Sequence, residues 1–351
     1  MEFASDNTSG ATPEVIDAVV AANAGYAPSY GTDPIMDEVT AQIRTQFEAP
    51  EATVFLVPTG TAANALSIAL YCPQWGAIYA HADAHVDVDE CGAPEFFIGG
   101  GKIAPIAGAH GKITPDGLKA RLALTPQGGV HHIQHGMLTL TNLTEAGTLY
   151  RPGEVASLTA IAHAEGMKVH MDGARFANAL VAAGCTPADI TWRAGIDVLS
   201  LGGTKNGCMG VEAVILFDPA KAWEFELRRK RGAHLFSKHR FLSAQMAGYL
   251  AEGRWRDRAA HANRMAARLA QGLAALAGGS LVHPCEGNIV FASFPRALHQ
   301  KATAAGGHYY LWPFDQSLEA AGSDPLSARF VCSWSTTEAD VDGFLALLRA
   351  G

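Results

Sequence analysis

The chain has 351 residues, of which 48% are hydrophobic, and its formal net charge at neutral pH is -8. A chain of this size can bury one large core and a smaller one, so we expect two domains. Its acids are scattered and its only dense basic run is Arg228 to Arg231, so nucleic acid is excluded as an expected partner.

The six cysteines lie far apart and form no Cys-x-x-Cys pair, which favours reduced thiols over a disulfide framework. The N-terminal segment MEFASDNTSG has an acid where a secretion signal has lysines. No run approaches the roughly 20 apolar residues that cross a bilayer. We therefore expect a cytoplasmic protein that has no membrane partner.

The first part of the chain predicts an irregular arm over residues 1–14, followed by two helices. Pro13 is placed as the first residue of one helix, and apolar residues at four-residue steps from Ile35 to Phe47 indicate the second. The apolar run Thr53 to Val57, a Pro-Thr-Gly-Thr turn and a helix of small residues come next. Such a helix start binds anions, so Gly60 and Thr61 are candidates for holding a phosphate.

The segment from His81 to Asp89 alternates histidine and aspartate with other residues. On an extended backbone these side chains would share one face, and they are the ligand types that zinc and iron prefer. In a helical or irregular segment they would point apart and face solvent. A metal site here is therefore an alternative hypothesis.

Three further histidines, His131, His132 and His135, precede the apolar strand Met137 to Thr141. A histidine beside a core strand is more often structural than catalytic. We expect at most one of the three to act in catalysis.

Strands and helices alternate through the middle of the chain. Apolar runs at Lys168 to Met171, Asp197 to Gly203 and Val211 to Phe217 predict strands. This alternation is typical of an α/β fold with a mostly parallel sheet and helices on both faces. Ligands bind at the carboxyl ends of such strands, so Gly60, Asp172 and Lys205, which each follow an apolar run, are expected to converge on one crevice.

A lysine amine, a carboxylate and a helix start together suit one cofactor, pyridoxal phosphate. The amine binds the cofactor aldehyde, the carboxylate keeps the pyridine nitrogen protonated, and the helix start binds the phosphate. Each residue alone has an ordinary explanation: Lys205 as a surface loop lysine and Asp172 as a helix cap. Together they favour the cofactor.

The last third of the chain predicts helices at Phe241 to Ala251 and Trp255 to Leu276, strands at Asn288 to Phe294 and Phe330 to Trp334, and a final helix that Thr337 caps. We expect a smaller α+β domain over residues 241–351, packed on a large cofactor-binding domain over residues 15–240.

Several motifs, taken in order, resemble the low-specificity L-threonine aldolases of bacteria, which have the aspartate-aminotransferase fold of pyridoxal-phosphate enzymes (fold type I). They are FASDN, YGTD, PTGTAAN, AHVDVDECGAPEFF, TEAGTLY, HMDGARFANA, GGTKNG, LFSKHRFLSAQ and ARFVCSW. The resemblance covers nearly the whole chain, and HMDGAR with GGTKNG is its most specific part. It implies a lyase that cleaves L-threonine, L-allo-threonine and related L-3-hydroxy-2-amino acids, including the phenylserine type, to glycine and an aldehyde.

The resemblance also implies roles for individual residues. Lys205 would bind the cofactor covalently, Asp172 would pair with the pyridine nitrogen, and His85 would stack on the ring. The whole cofactor site would comprise Gly60, Thr61, His85, Asp172, Arg175 and Lys205. The substrate would contact Ser5, Tyr30, Arg175 and Arg329.

The catalytic residues would be Lys205, His85 and His131, and the choice of base between the two histidines stays open. Tyr30 would reach into the active site of a neighbouring subunit, because such enzymes are homo-oligomers, as a dimer or a dimer of dimers (homotetramer). The segment from His308 to Pro325 departs from the family pattern, so it could reshape the substrate entrance.

Two alternatives remain. A transaldolase that moves the glycyl unit to another aldehyde would share every motif above. A metal-dependent hydrolase or lyase would instead use the His81 to Asp89 segment and the His131 cluster. The cofactor hypothesis predicts no bound metal.

Overall fold

The computed structural model describes residues 1–319 and 324–350. Its larger sheet has seven strands in the order β1-β7-β6-β5-β4-β2-β3. These strands are β1 (Thr53–Val57), β2 (Gly76–His81), β3 (Lys102–Ile106), β4 (Gln134–Thr141), β5 (Lys168–Gly173), β6 (Val198–Gly202) and β7 (Glu212–Leu216). Strand β7 runs antiparallel to both of its neighbours, and the other pairs are parallel. The mostly parallel α/β fold predicted from the sequence is confirmed.

Helices cover both faces of this sheet. They are α1 (Pro13–Ala22), α2 (Pro34–Gln46), α3 (Gly60–Tyr71), α4 (His85–Val88), α5 (Ala93–Ile98), α6 (Pro115–Ala123), α7 (Pro152–Ala164), α8 (Phe176–Ala183), α9 (Pro187–Ile190), α10 (Ala222–Arg231) and α11 (Arg240–Leu250). Successive strand residues alternate between two buried apolar clusters, as Phe55 and Leu56 of β1 do. The sheet is therefore buried on both sides, as near-continuous apolar strands require.

A second, antiparallel sheet has the order β10-β11-β9-β8. Its strands are β8 (Ser280–Leu281), β9 (Ile289–Pro295), β10 (Tyr310–Leu311) and β11 (Pro325–Val331), and its helices are α12 (Arg254–Ala274), α13 (Arg296–Ala304) and α14 (Glu338–Arg349). Phe294, Phe330 and Phe344 lie in one buried cluster between this sheet and its helices.

The N-terminal arm packs on this smaller domain. Phe3 is fully buried in its core, its amide donates to the carbonyl of His308 at 2.8 Å, and its carbonyl accepts from the amide of Val331 at 2.8 Å. A short 3-10 turn, Asp6–Thr8, then leads to the larger domain. The arm thus connects the two domains near the carboxyl end of the larger sheet.

The two cores meet in the helices that follow residue 240. Helix α11 packs against α1 and α2, and its buried Leu242 and Met246 belong to the core of the larger sheet. Helix α12 begins in that same core with Trp255 and continues into the smaller core with Leu269. The change of domain therefore lies within α12, which is a continuous helix shared by both cores.

The strand predicted at Phe330 to Trp334 begins earlier, at Pro325. The reason is that this antiparallel strand alternates buried Leu326, Ala328 and Phe330 with less buried residues, which is not the continuous apolar run that a central parallel strand has. Arg329 consequently lies inside β11. None of the helices described is both long and apolar enough to cross a membrane.

Candidate active site

The carboxyl ends of β1, β5 and β6 meet at one edge of the larger sheet, as the sequence predicted. The segments that follow them enclose a cavity of about 270 Å³. Six of the predicted site residues line it: Gly60, Thr61, His85, Asp172, Arg175 and Lys205.

Lys205 lies in a single 3-10 turn, Thr204–Asn206, just beyond β6. The charge of nearby Arg175, followed by burial, lowers the pKa of the Lys205 amine. A lowered pKa increases the fraction of neutral amine, which is the nucleophilic form.

Asp172 lies at the end of β5 and is 2% exposed. One of its oxygens accepts from the Asn64 amide at 2.9 Å, and the other accepts from the backbone of Ala174 at 2.9 Å. The same Asn64 amide donates to Glu90 at 2.8 Å. Asp172 is therefore held in one orientation at the floor of the cavity.

His85 begins α4 and is oriented by two carboxyl groups. Its Nδ1 lies 2.9 Å from Glu90 Oε1, and its backbone amide donates to Glu145 Oε1 at 2.8 Å. The hydrogen bond to Glu90 raises the pKa of the His85 imidazole. This geometry fixes the ring through Nδ1 and leaves Nε2 for a ligand.

Arg175 is bound on one edge by Asp6 of the N-terminal arm. Its Nε and Nη2 donate to the two carboxylate oxygens at 2.7 and 3.0 Å. The side-chain amide of Asn288, the residue before β9, also donates to Asp6, at 3.2 Å. Burial opposes ionisation of Asp6, but the charges of Arg175 and Lys205 hold its pKa below the usual range. One guanidinium nitrogen, Nη1, stays outside this bidentate pair.

Arg329, in β11 of the smaller domain, does not line the cavity, but it lies close enough to Arg175 for their charges to interact. In the sheet it stands between Tyr310 and Phe291, which are its direct cross-strand partners. Burial, followed by repulsion from Arg175, lowers the pKa of Arg329 to about 10. Tyr310 belongs to the segment from His308 to Pro325, so that segment adjoins Arg329; its residues 320–323 lie outside those described.

Two other predicted substrate contacts lie outside this cavity. Ser5 caps the Asp6–Thr8 turn, where its hydroxyl accepts from the amide of Asn7, a residue that lines the cavity. Tyr30 has a positive φ of 59° and is 44% exposed, with Lys230 Nζ 4.8 Å from its ring centre. Ser5 is adjacent to the site, whereas Tyr30 does not contact the cavity of its own chain.

His131 is placed away from the cavity. It is exposed and precedes β4, whose other end, at Thr141, lines the cavity. The loop before β4 is held there by a hydrogen bond from Gly128 to Gln134. The eight residues of β4 span roughly 25 Å, so His131 lies at the amino edge of the sheet and cannot reach the cavity of its own chain.

The alternating segment from His81 to Asp89 does not form the single face that the metal hypothesis needs. His81 ends β2 and its Nε2 bonds to the carbonyl of Gly108, whereas His85 lies in a helical turn. Among the described residues, a ligand-type cluster does occur at His85, Glu90 and Asp172. The Asn64 amide donates to both of these carboxylates, however, and such a donor would face any cation placed between them.

Five functional groups were not singled out from the sequence: Asn64, Glu90, Glu145 and Glu212, which line the cavity, and Asp6, which bonds to the lining residue Arg175. Four lie inside the quoted motifs FASDN, PTGTAAN, AHVDVDECGAPEFF and TEAGTLY. The signal for Glu212 was an acid in an otherwise apolar strand, because a buried charge needs a nearby partner.

Glu212 lies in β7 beneath Lys205 and accepts from the amide of Gly203 at 2.7 Å. Burial raises its pKa from 4.5 to about 7. Between these values the folded state keeps a proton that the unfolded chain has lost. The stability that this group contributes is therefore present at low pH and is lost as the pH rises to about 7.

We expect Glu212→Gln to remove this dependence. The free energy of unfolding of the variant, relative to the native protein, should increase between pH 5 and 8 by up to about 3 kcal/mol. Urea unfolding at several pH values measures the difference. Glu38→Gln, which changes an exposed carboxylate of α2, should show a constant difference. A constant difference for Glu212→Gln would contradict the prediction.

The chain is similar to known proteins in both sequence and fold. It matches the family described as beta-eliminating lyase over residues 2–295. A low specificity L-threonine aldolase of Pseudomonas sp. (strain NCIMB 10558) is 40% identical over 349 residues, 99% of this chain and 97% of that protein. Its Pseudomonas aeruginosa counterpart is 40% identical over 335 residues, with 95% and 93% coverage. The solved threonine aldolase of Leishmania major matches with a TM-score of 0.91 at 26% identity, covering 99% of this chain and 98% of that one.

Proposed function

The chain belongs to the beta-eliminating lyase family, and from this we propose that it is a threonine aldolase that uses pyridoxal phosphate. Its substrates are L-threonine, L-allo-threonine and related L-3-hydroxy-2-amino acids, including the phenylserine type. The products are glycine and an aldehyde. The observation that carries the proposal is the convergence of Lys205, Asp172 and the start of α3 on one cavity, in a chain 40% identical to low specificity L-threonine aldolases.

The residues of the cavity fit this cofactor. The amides at the first positions of α3, Gly60 and Thr61, have no partner within the helix, and the space where a Cβ of Gly60 would lie is open. Asp172 would hold the pyridine nitrogen, and Lys205 supplies the amine. When bound, the cofactor withdraws electrons from the substrate Cα and so weakens the bonds to that atom.

Arg175 and Arg329 would bind the substrate carboxylate from the two domains. Their mutual repulsion is part of what lowers the pKa of Arg329, and an anion between them would relieve it. Asp6 occupies one edge of Arg175, so the carboxylate would use the remaining Nη1 together with Arg329. Holding the carboxylate fixes which bond to Cα is activated, and this selects Cα–Cβ cleavage.

His85 is the histidine that lies in the cavity. Its hydrogen bond to Glu90 sets the ring orientation, as a stacking partner for the cofactor requires, and its free Nε2 would face the substrate. His131 would act as the base only if it entered the site from a neighbouring subunit, because within one chain it lies at the opposite edge of the sheet.

We also propose a cytoplasmic homo-oligomer, a dimer or a dimer of dimers, in which Tyr30 enters the neighbouring subunit's site. Two observations support assembly: Tyr30 is exposed and lies outside its own cavity, and the apolar side chains of Trp75, Phe96 and Trp223 are exposed. The small-molecule partners are an amino acid and an aldehyde.

The function is tested with the purified protein, added pyridoxal phosphate and each of L-threonine and L-allo-threonine. We expect acetaldehyde and glycine in equal amounts, measured by an NADH-linked aldehyde assay and by amino-acid analysis. D-Threonine serves as the control and should give neither product. If no 3-hydroxy-2-amino acid yields an aldehyde in the presence of the cofactor, the proposed function is wrong.

A further inference from the structure

Glu145 is a carboxyl group of the cavity that has one oxygen without a partner. It lies just beyond the carboxyl end of β4 and lines the cavity next to His85. Its Oε1 accepts from the His85 amide at 2.8 Å. Its Oε2 is buried and has no partner at hydrogen-bonding distance among the described residues, although the Thr141 hydroxyl lies near enough to the carboxyl group to favour its charged form.

A buried oxygen without a donor is costly, so a ligand in the cavity is expected to supply one. An amino-acid substrate with a β-hydroxyl group carries such a donor. The substrate carboxylate is an acceptor, and its place is between Arg175 of the larger domain and Arg329 of the smaller one. The hydroxyl group is therefore the part of the substrate that suits Glu145.

The other candidate acceptors are less suited to take a proton. His85 shares its Nδ1 with Glu90, which raises the pKa of the imidazole and so favours the already protonated form. His131 lies at the opposite edge of the sheet. Burial, and to a smaller extent the charge of Asp172, raises the pKa of Glu145. A raised pKa makes this carboxylate a stronger base than an ordinary glutamate.

We propose that Glu145 takes the proton of the substrate β-hydroxyl group in the cleavage step; this rests on the proposed function. The carboxylate removes the proton, and the electron pair of the O–H bond becomes the second bond of the aldehyde carbonyl. The Cα–Cβ bond breaks, its electron pair stays on Cα, and Cα is then protonated to give glycine. The proton on Glu145 leaves to solvent.

The test compares two reactions of Glu145→Gln. Glutamine keeps an oxygen that accepts from the His85 amide, but it cannot take a proton. We expect kcat for L-threonine cleavage to fall by roughly 10²- to 10⁴-fold. Exchange of the α-proton of glycine with deuterium, followed by NMR, involves no hydroxyl group and should stay within about twofold of the native rate. The affinity for pyridoxal phosphate, measured by fluorescence quenching, should not change.

Glu95→Gln is the matched control, because Glu95 in α5 is also half-buried with an unpartnered Oε2 but lies outside the cavity. It should leave both reactions unchanged. If Glu145→Gln slows both reactions equally, Glu145 merely supports α4 and His85. If it changes cofactor affinity, Glu145 contacts the cofactor instead. Unchanged threonine cleavage in the variant overturns the assignment alone, whereas no cleavage by the native protein overturns the aldolase function as well.

Discussion

Replacement of Lys205 by alanine is expected to lower the rate of L-threonine cleavage by at least about 10³-fold, a barrier increase of about 4 kcal/mol. Among the described residues, Lys205 is the one lysine that lines the cavity, and the charge of Arg175 keeps its amine prone to lose a proton. No other side chain that the structure describes around the cavity carries a primary amine. Lys205→Arg, which keeps the charge but lacks a primary amine, should be similarly inactive.

Three measurements test this prediction. Steady-state kinetics gives the loss of rate, and circular dichroism checks that the variant is folded. Borohydride reduction of the native protein, followed by peptide mass analysis, should place the mass of the cofactor on the peptide that contains Lys205. Lys168→Ala, which changes an exposed lysine paired with Asp197, is the control and should keep full activity. A Lys205→Ala variant that retains a tenth of native activity would show that another group binds the cofactor.

The sequence was sufficient to predict where the main site residues meet, because the segment that follows a parallel strand lies at the carboxyl edge of the sheet. Gly60, Asp172 and Lys205 each follow an apolar run, and parallel strands bring such ends together. The same rule places His131, which precedes its strand, at the opposite edge. The predicted role of His131 came from the family resemblance and not from this rule.

The partners of these residues could not be predicted, since they depend on contacts between distant parts of the chain. Glu90 and Glu145 act on His85 through hydrogen bonds from different segments. Asp6 meets Arg175 across 169 positions of sequence. In a sequence, a buried acid shows only as a charged residue within an apolar segment. The residue that forms a hydrogen bond or an ion pair with it is determined by the fold.

The sequence also carries no mark of where one core gives way to the other, for a related reason. No glycine or proline cluster marks the passage from one core to the other, because a single long helix, α12, takes part in both. Its amphipathic pattern is the same along its length, although its neighbours change. Helix α11 before it carries a buried face that suits either domain, and only its contacts with α1 and α2 assign it to the larger one.

Asp6→Ala is expected to destabilise the protein by about 3–5 kcal/mol, because it leaves the guanidinium of Arg175 buried without its partner. The side chains of Asp6 and Arg175 are 1% and 10% exposed, and two hydrogen bonds join them. Asp6 also accepts from Asn288 of the smaller domain, so its loss removes a contact between the domains.

Urea unfolding of the native protein and the variant measures this free energy. Arg193→Ala is the matched control, since Arg193 pairs with Glu48 and Asp189 at the surface, with its side chain 41% exposed; it should cost less than about 1 kcal/mol. In the double variant Asp6→Asn, Arg175→Gln, no charge is left unpaired, so it should recover part of the loss. A loss below 1 kcal/mol for Asp6→Ala would mean that water reaches Arg175 once the carboxylate is gone. The charge of Asp6 also opposes the effect of Arg175 on Lys205, so its removal should lower the pKa of the Lys205 amine further.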